Sequence, residues 1–419
     1  MRKAPIQPLL ERFLGPGARF RGVQEAAVRA IMDGMPWVLV VMGAGCGKSM
    51  ICLVPASWER AKVTIMVVPA VSLRQNMQQE CARAGISCVA WDLHRPPFDA
   101  SIVLVTPESA TSKGFQTFVR QLQERNRLDR VVVDDCHTLL DIHPSIRSDW
   151  QAIWQLMVTD SQVVLLTSTL PPSDERWLLE MLHMPRDIVH VFRSPRTTRP
   201  NIEYRVEPVD GTNDAVVRFV TDRQGRWYGT GGKIIVYAND TKRVQKLAEI
   251  LQCYAFHDLM GKQQKEQVLE LFSQESRGAT IVATPDLAVV VNIPTVRCVI
   301  HVDNPTTLRK YSQESGRAGG DGQPSEAVII APAGSPGRKW NTWDPVLMEG
   351  LQAMERYLRG EECRRRVLDS FLDSYERRDG CISSEGELVC DVCQATSEWK
   401  VFNHVSSLEH DAATDLDDL

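Results

Sequence analysis

The feature that most constrains the fold is an apolar run, Val38–Met42, that leads directly into Gly43-Ala-Gly-Cys-Gly-Lys-Ser49. The run predicts a buried strand, and the glycines let the backbone turn its N–H groups towards a phosphate. We expect Lys48 to reach the β- and γ-phosphates and Ser49 to ligate Mg²⁺ where a helix begins. The predicted phosphate-binding residues are Gly43, Ala44, Gly45, Cys46, Gly47, Lys48 and Ser49. An accidental glycine-rich turn is the alternative, because Met42 occupies the first position of the usual pattern.

Short apolar runs alternate with longer mixed segments over most of the chain. The first series of predicted strands is Val38–Met42, Val63–Val68, Ile102–Thr106, Val131–Asp134 and Val163–Leu166, with a helix at Leu73–Ala84. The second series is Ile234–Tyr237, Thr280–Thr284, Val299–Val302 and Ala327–Ile330, with a helix at Thr241–Leu251. Such continuous runs are typical of parallel strands that are covered on both faces. The sequence therefore predicts two α/β domains.

Length and local composition predict the domain boundaries. The chain has 419 residues, and the usual prior is about 150 residues per domain. The Pro-, Arg- and Thr-rich stretch Ser194–Pro200 is typical of a linker. We therefore predict domains at 1–200 and 201–345, a small module at 346–395 and an acidic disordered tail at 396–419.

Charge and cysteine content narrow the class of protein. Residues 1–345 carry 40 basic and 36 acidic side chains, whereas residues 396–419 carry 1 and 6. Any nucleic-acid binding must therefore use local basic patches. We expect no membrane span, because no apolar run reaches about 18 residues. The 11 cysteines and the absence of a long apolar run after Met1–Pro5 predict reduced thiols and an intracellular location.

A second candidate site lies at the end of a predicted strand, in Val131-Val-Val-Asp-Asp-Cys-His137. Asp134 is placed to hold Mg²⁺, directly or through water, and Asp135 to orient or deprotonate an attacking water. Taken alone, two acids at a strand end are as well explained by simple solvation. Together with the phosphate loop, they predict a site that hydrolyses a nucleotide.

The order of these and further motifs resembles the RecQ family of superfamily 2 DNA helicases, most of all the telomere-linked RecQ-like helicases of fungi. Phe20-Arg-Gly-Val-Gln24 resembles the motif that reads adenine, with Gln24 on the base edge and Arg21 nearby. Asp134-Asp-Cys-His137 resembles the DEAH box, which is motif II of the family. The other matching motifs are Val68–Arg74, Thr106–Glu108, Thr167-Ser-Thr169, motif V from Ala283 to Pro294, and motif VI, Gln313-Glu-Ser-Gly-Arg-Ala-Gly-Gly-Asp-Gly322.

The resemblance implies two tandem RecA-like domains that hold ATP and Mg²⁺ between them. It also implies 3′–5′ movement on single-stranded or partly duplex DNA, and a nuclear location. The residues that the resemblance assigns to catalysis are Lys48, Asp134, Asp135, His137, Gln313 and Arg317. Protein partners are not implied.

Three motifs depart from the family pattern, and all three belong to the ATPase. Asp135 stands where the family has Glu, and Gly320 stands where it has the second arginine of motif VI. Motif V has Ala288, Val290 and Asn292 at positions that are usually Gly, Gly and Asp. In the family, the second arginine of motif VI is the arginine finger that meets the γ-phosphate. Because arginine fingers contribute about 10³–10⁵ in rate, we expect weakened hydrolysis. The alternative is that a neighbouring arginine substitutes for the finger.

Four cysteines late in the chain predict a structural zinc site. Cys390-Asp-Val-Cys393 has the C-x₂-C spacing of zinc ligands, and Cys363 and Cys381 bring the number of thiols to four. The segment resembles the zinc-binding module of RecQ helicases. Four unrelated buried thiols are the alternative.

A few other residues have two open interpretations. Trp150 and Trp154 follow motif II where the family has an aromatic loop that senses DNA, but their spacing also fits a packed helical stripe. Arg147 is either a phosphate contact or a solvated arginine. Cys46 is either sensitive to oxidation or an ordinary loop residue.

Overall fold

The computed structural model describes residues 5–43, 45–68, 71–140, 161–182, 184, 186–291, 293–331, 345–375, 379–381 and 386–396. The chain divides into two compact units. The first comprises residues 1–197 and 286–292, and the second comprises residues 198–285 and 293–419. The predicted zinc module, 346–395, groups with the second unit.

The first unit is built on a parallel sheet that has seven strands among the described residues. Its strands are β1 Trp37–Val41, β2 Val63–Val67, β3 Cys88–Ala90, β4 Ile102–Val105, β5 Leu128–Val133, β6 Gln162–Thr167 and β7 Val189–Arg193. They lie in the order β3-β4-β2-β5-β6-β1-β7. Along β1, Leu39 packs into one hydrophobic cluster and Val38 and Val40 into another, so both faces of the sheet are buried.

Helices cover both faces of this sheet. They are α1 Ile6–Leu14, α2 Gln24–Met32, α3 Ser49–Ala56, α4 Val71–Arg83, α5 Pro107–Ala110, α6 Lys113–Glu124 and α7 Pro172–Met181. Helix α6 begins at the cap Ser112, whose hydroxyl accepts a hydrogen bond from the Phe115 amide. It buries Phe115 and Phe118 beside Trp91 in an aromatic cluster. Short 3₁₀ helices at Cys136–Leu140 and Arg186–Ile188 complete the described part of the unit.

The second unit contains another parallel sheet, with six strands in the described residues. Its strands are β8 Ile202–Glu207, β9 Lys233–Tyr237, β10 Tyr254–Phe256, β11 Ala279–Ala283, β12 Val296–His301 and β13 Ser325–Ile330. They lie in the order β10-β11-β9-β12-β13-β8. The helices are α8 Asn213–Trp227, α9 Thr241–Leu251, α10 Lys262–Gln274, α12 Leu308–Ser315, α13 Pro345–Arg359 and α14 Arg364–Asp373, with a 3₁₀ turn at Tyr228–Thr230. The short helix α11 Leu287–Val290 groups with the first unit.

The predicted strands and helices are present, with ends that differ by a few residues. The sequence analysis missed four strands, β3, β7, β8 and β10. All four are at sheet edges, where a strand has only one neighbour. Two of them, β3 and β10, are only three residues long, and β7 and β8 have charged or polar residues among the apolar ones. Within the predicted linker Ser194–Pro200, Thr197 and Arg199 are buried, with exposed fractions of 8% and 9%, whereas Pro195 and Pro200 are exposed.

Candidate functional site

The phosphate loop lies between β1 and α3, as its sequence predicts. Gly45 and Gly47 have φ of +75° and +82°, which is a left-handed conformation that glycine adopts without strain. A Cβ on Gly43 would come within 2.6 Å of the Thr197 carbonyl oxygen. Lys48 occupies the N-cap of α3, and Ser49 is the first residue of the helix. The loop thus has the curled backbone and helix start that suit a phosphate.

Gln24, the predicted adenine-reading residue, holds the phosphate loop in this structure. Its side-chain nitrogen donates to the carbonyl oxygens of Cys46 and Gly47, each at 3.0 Å. Its side-chain oxygen accepts a hydrogen bond of 2.7 Å from the Arg21 amide. With 3% exposure, Gln24 is fully enclosed. All three bonds would have to break or rearrange before this amide could meet a base edge.

A cavity of about 330 Å³ opens beside the loop, in the first unit. Its lining residues come from α1, from the segment before α2, from the phosphate loop with α3, and from α4. They are Phe13, Leu14, Arg19, Arg21, Gln24, Cys46, Gly47, Ser49, Met50, Leu53, Glu80, Arg83 and Ala84. The structure therefore brings Arg21 and Gln24 together with Gly47 and Ser49 around one cavity. The volume lies near the lower end of the range for small-molecule sites.

The acidic pair of motif II lies at the end of β5 and faces the phosphate-loop lysine. The Asp134 amide donates to the Val67 carbonyl, which continues the sheet, and the Asp135 amide donates to Asp134 Oδ1 at 3.0 Å. Asp135 has a φ of +47°, so the chain turns sharply there. Lys48 Nζ lies 4.0 Å from Asp135 Oδ1. The two motifs that the sequence separates by more than 80 positions thus form one charged site.

Asp134 has a strongly shifted titration. Desolvation raises the pKa of the Asp134 carboxyl to about 7, the negative charge of Asp135 adds to the rise, and Lys48 opposes it. A divalent cation beside Asp134 would relieve this repulsion. Carboxylate and hydroxyl oxygens are the ligands that Mg²⁺ prefers, so Asp134 and Ser49 suit the ion that the sequence predicts.

His137 connects motif II to the Thr167-Ser-Thr169 motif. Its Nδ1 lies 2.9 Å from Thr167 Oγ1, and both residues have no exposed surface. The same hydroxyl accepts a bond of 3.3 Å from the Thr169 amide. The 3₁₀ helix Cys136–Leu140 positions His137 directly after the acidic turn. The acidic pair and residues 167–169 are therefore connected through one buried side chain, that of His137.

Motif VI lies in the second unit, at the end of α12 and in the turn that follows. Gln313 and Arg317 are partly exposed, and Gly320 is exposed. Arg297 forms a two-point ion pair with Asp321, which holds the end of the turn. A Cβ on Gly320 would approach the Pro294 Cα to 3.0 Å. A side chain at position 320 therefore requires a small local shift.

The four predicted zinc ligands form a compact cluster. The Sγ atoms of Cys363, Cys381, Cys390 and Cys393 all lie within 4.8 Å of one another. Cys363 Sγ is 3.7 Å from Cys381 Sγ and 3.8 Å from Cys390 Sγ. Four sulfurs at about 2.3 Å from a tetrahedral zinc are about 3.8 Å apart, whereas a disulfide requires about 2.05 Å. The donor set and its spacing therefore fit zinc.

Sequence reasoning missed three side chains that support the motif VI turn, two of them buried. Arg199, Asn201 and Arg365 bond to backbone carbonyls of the second unit that lie far from them in sequence. The Pro- and Thr-rich context of Arg199 indicated a linker, and Arg365 lies in a run of three arginines that is typical of a solvated helix start. Neither residue had a spacing signal that would have revealed its role.

Some expected residues fall outside the described part of the chain. These are Ala44 of the phosphate loop, Asn292 of motif V, Arg147, Trp150 and Trp154, and the tail beyond residue 396. Of the other motif V positions, Ala288 is buried and Val290 is partly exposed. Among the described helices, none combines the length and apolar character that a membrane span needs.

Two protein-family models match the chain. The model described as DEAD/DEAH box helicase matches residues 21–176, and the model described as helicase conserved C-terminal domain matches residues 213–322. The first contains the phosphate loop and the acidic pair, and the second contains motif VI.

Curated relatives agree with these matches. The chain is 28% identical to ATP-dependent DNA helicase Q-like 2 of Arabidopsis thaliana, over 91% of this chain and 56% of that protein. It is 25% identical to ATP-dependent DNA helicase RecQ of Haemophilus influenzae, over 89% of this chain and 61% of that protein. It is 27% identical to ATP-dependent DNA helicase Q5 of Rattus norvegicus, over 77% of this chain and 36% of that protein. The chain thus spans from about a third to three fifths of the length of these relatives.

Solved structures share the fold. Dbp5 of S. cerevisiae, bound to RNA and ADP BeF3, has a TM-score of 0.63 at 18% identity and covers 85% of this chain and 92% of its own. Helicase Lhr of Mycobacterium smegmatis, bound to ssDNA and AMP-PNP, has a TM-score of 0.63 at 19% identity and covers 85% of this chain and 50% of its own. The predicted fold class of two RecA-like parallel-sheet domains is confirmed. The predicted resemblance to RecQ-family helicases is confirmed, because these curated relatives are RecQ-family helicases and the two helicase models match the chain, while the resemblance to the fungal telomere-linked type stays a prediction.

Proposed function

We propose that the chain is an ATP-dependent DNA helicase or translocase that moves 3′ to 5′ on single-stranded DNA and hydrolyses ATP slowly. The observation that carries the proposal is the joint site of the first unit, in which Lys48 Nζ lies 4.0 Å from Asp135 Oδ1 beside the curled phosphate loop. An ammonium and a pair of carboxylates at a helix start are the groups that ATP, Mg²⁺ and an attacking water require.

Each side chain has a role in this proposal. The phosphate loop holds the phosphates, Lys48 neutralises the terminal ones, and Ser49 and Asp134 ligate Mg²⁺. Asp135 orients the attacking water, and His137 passes the change in charge to Thr167. Mg²⁺, when bound, supplies the positive charge that stabilises the transferred phosphoryl group. The resemblance assigns Gln313 and Arg317 to the same reaction.

Slow hydrolysis follows from residues that are too short. Asp135 is one methylene shorter than the Glu of the family, and a misplacement of 1 Å costs about 10²-fold in rate. Gly320 supplies no guanidinium where the family has its second arginine. The alternative is a module that binds ATP and DNA without efficient turnover, and the same two residues favour it.

The DNA partner, the zinc module and the nuclear location rest on the resemblance. We expect single-stranded or partly duplex DNA to bind through a handful of phosphate contacts, because residues 1–345 carry only a small basic excess. Each neutralised phosphate contributes about −0.7 to the slope of log K against log salt. Residues 346–395 form the proposed zinc-binding module, held to the second unit.

The test is phosphate release with and without saturating single-stranded DNA. The matched control for Lys48→Ala is Lys62→Ala, since Lys62 is an exposed lysine of the same unit that bonds only to the Asn126 side chain among the contacts seen. We expect slow, DNA-stimulated release that Lys48→Ala abolishes and Lys62→Ala leaves intact. Release equal in the parent and in Lys48→Ala would sink the proposal, and ATP binding without DNA-stimulated release would favour the alternative.

A further inference from the structure

The motif VI turn of the second unit is held by a buried guanidinium. Arg199 Nη1 donates to the carbonyl oxygens of Gly316 at 3.2 Å and Ala318 at 3.0 Å, and Arg199 Nη2 donates to that of Gly319. Arg199 has only 9% exposure. One side chain thus bonds three carbonyls of the turn, which lie on both sides of Arg317 in the sequence.

Asn201, which directly precedes strand β8, also supports the motif VI turn. Its Nδ2 donates to the Gly319 carbonyl at 3.0 Å and to the Gln323 carbonyl at 2.8 Å. Gly319 has a φ of +60°, and a Cβ there would lie 2.3 Å from Asn201 Nδ2. The glycine of the turn and the amide that reaches it are therefore fitted to each other, and no larger residue fits between them.

A second buried arginine holds the segment that carries Arg199. Arg365 Nη1 donates to the Arg199 carbonyl at 2.8 Å, and Nη2 donates to the carbonyls of Pro200 and Ile202 at 3.1 and 2.6 Å. Arg365 has no exposed surface and lies two residues after Cys363 of the cysteine cluster. The backbone of residues 199–202 is therefore fixed from the zinc module.

The bonds need arginine in particular. A guanidinium is planar and offers five N–H donors in a rigid fork, whereas a lysine ammonium is a single charged point that is strongly hydrated. Burial of a charge is costly unless polar groups surround it. For Arg365 those groups are the carbonyls, the Glu387 carboxylate at 3.9 Å and the face of the Tyr204 ring. The hydrogen bonds that offset the cost of burying these two charges are made to one particular backbone conformation.

We propose that Arg199 is a positioning residue for ATP hydrolysis, which sets the conformation of residues 316–319 and so the direction of the Arg317 side chain. Arg365 supports it by fixing the backbone of Arg199, so the zinc module acts on motif VI through these two arginines. The inference rests on the proposed ATPase function, but the conformational part of its test does not require turnover.

The experiment compares Arg199→Lys with the control Arg205→Lys in the full chain. Arg205 is an arginine of the following strand, β8, that pairs with Glu203 and Glu207 on its own strand. We expect Arg199→Lys to lower kcat for DNA-stimulated hydrolysis by about tenfold or more, because it misplaces a reacting group, while KM for ATP changes little. Arg205→Lys leaves both values unchanged.

Hydrogen exchange provides the second measurement. In Arg199→Lys, we expect faster amide exchange in residues 313–322, with unchanged exchange in residues 43–49 and 128–140 and one zinc per chain. Arg365→Lys gives the same pattern. The effect of the double variant on amide exchange is smaller than the sum of the two single effects, because both arginines act on one turn. If Arg199→Lys does not fold, Asn201→Ala replaces it, with a smaller change in the same direction.

The outcomes separate the two proposals. A parent without DNA-stimulated hydrolysis refutes the proposed function, and faster exchange confined to 313–322 then still supports the turn-positioning role of Arg199. Unchanged exchange and kcat in Arg199→Lys overturn the inference. So does exchange that rises equally throughout the second unit, since that result indicates a general loss of stability.

Discussion

The phosphate loop of the first unit and the motif VI turn of the second are both short glycine-containing segments, but different forces hold them. The loop takes its shape from Gly45 and Gly47 and from two hydrogen bonds of a neutral amide, Gln24. The turn is fixed by a buried cation, Arg199, which lies about 120 positions away in the sequence. The loop is thus a local structure and the turn a tertiary one.

This difference has a physical reason. A loop that must wrap a phosphate needs free N–H groups and room to adjust, so glycines and a neutral amide suffice. The motif VI turn carries Arg317, whose guanidinium has to point in one direction. The backbone carbonyls of that turn therefore have to be held in one conformation. Charged hydrogen bonds are about twice as strong as neutral ones, and burial strengthens them further.

The largest expected effect is that of removing zinc, which should loosen the motif VI turn and leave the phosphate loop unchanged. Chelation should remove on the order of 10 kcal/mol of folding free energy from the module. We expect faster hydrogen exchange in residues 198–202, 313–322 and 345–375, with exchange in the phosphate loop and Mg·ATP affinity retained. The control is Cys253→Ser, since the Cys253 thiol lies outside the cluster. That variant should keep one zinc per chain, whereas natively purified reduced protein without zinc would contradict the site.

The converse prediction concerns Lys48→Ala. Removal of the ammonium should lower Mg·ATP affinity by about 10²-fold or more, because a charged bond to phosphate is lost. Zinc content and exchange in the motif VI turn should not change. Isothermal titration measures the affinity, with Lys62→Ala as the control. Equal affinities in Lys48→Ala and the parent would mean that the loop is not the phosphate site.

A smaller effect is expected for Gly320→Arg, which returns the missing guanidinium to motif VI. Turnover with saturating DNA should rise by about tenfold or more, yet less than the 10³–10⁵ of a full arginine finger. Pro294 lies 3.0 Å from the added Cβ and must shift by a few tenths of an ångström. Adding Asp135→Glu should raise turnover further but modestly, because left-handed backbone suits Asp better than Glu.

The control for that variant is Gly225→Arg, which adds the same charge to the same unit where no atom lies within 4 Å of the new Cβ. It should not change turnover. A parent that already hydrolyses many ATP per second would show that the short residues do not limit the rate. If Gly320→Arg gains nothing, crowding of motif V by Ala288 and Val290 becomes the better explanation.

The sequence predicts the local structures, such as the phosphate loop, better than the tertiary ones, such as the motif VI turn. Contiguous motifs reveal the phosphate loop, the acidic pair and the C-x₂-C cysteines, because their function requires fixed residue types at fixed spacing. Central strands were recognisable as continuous apolar runs, whereas the edge strand Ile202–Glu207 alternates with charged residues and was missed. Arg199 and Arg365 could not be found, because their partners are backbone carbonyls, which leave no trace in residue identity.

The loop itself gave one result that sequence could not supply. The spacing of Gln24 before the loop indicated a base-reading residue, yet here its amide bonds the loop carbonyls. A motif fixes which residues come together, but not which of several hydrogen bonds a flexible amide makes before a ligand binds.

The smallest predicted effect decides between these two roles of Gln24. In Gln24→Ala, loss of two neutral hydrogen bonds costs about 1–2 kcal/mol, or roughly tenfold in affinity. If Gln24 only holds the loop, ATP and GTP affinities fall together, since both nucleotides share the phosphates. If the amide turns to the base on binding, ATP affinity falls and GTP affinity does not, so the preference for adenine is lost.

Gln24→Glu sharpens that comparison, because its carboxylate would face the carbonyl oxygens of Cys46 and Gly47 with no proton to donate. We therefore expect faster amide exchange in residues 45–49 of Gln24→Glu than of Gln24→Ala. In Gln24→Glu the carboxylate oxygens repel the carbonyl oxygens, whereas in Gln24→Ala the hydrogen bonds are only lost. The control is Gln7→Ala, whose amide bonds only to Glu11 and the Ala18 carbonyl among the contacts seen. Unchanged loop exchange in both Gln24 variants would show that the glycines alone hold the phosphate loop, and the contrast with the arginine-held turn would then be greater still.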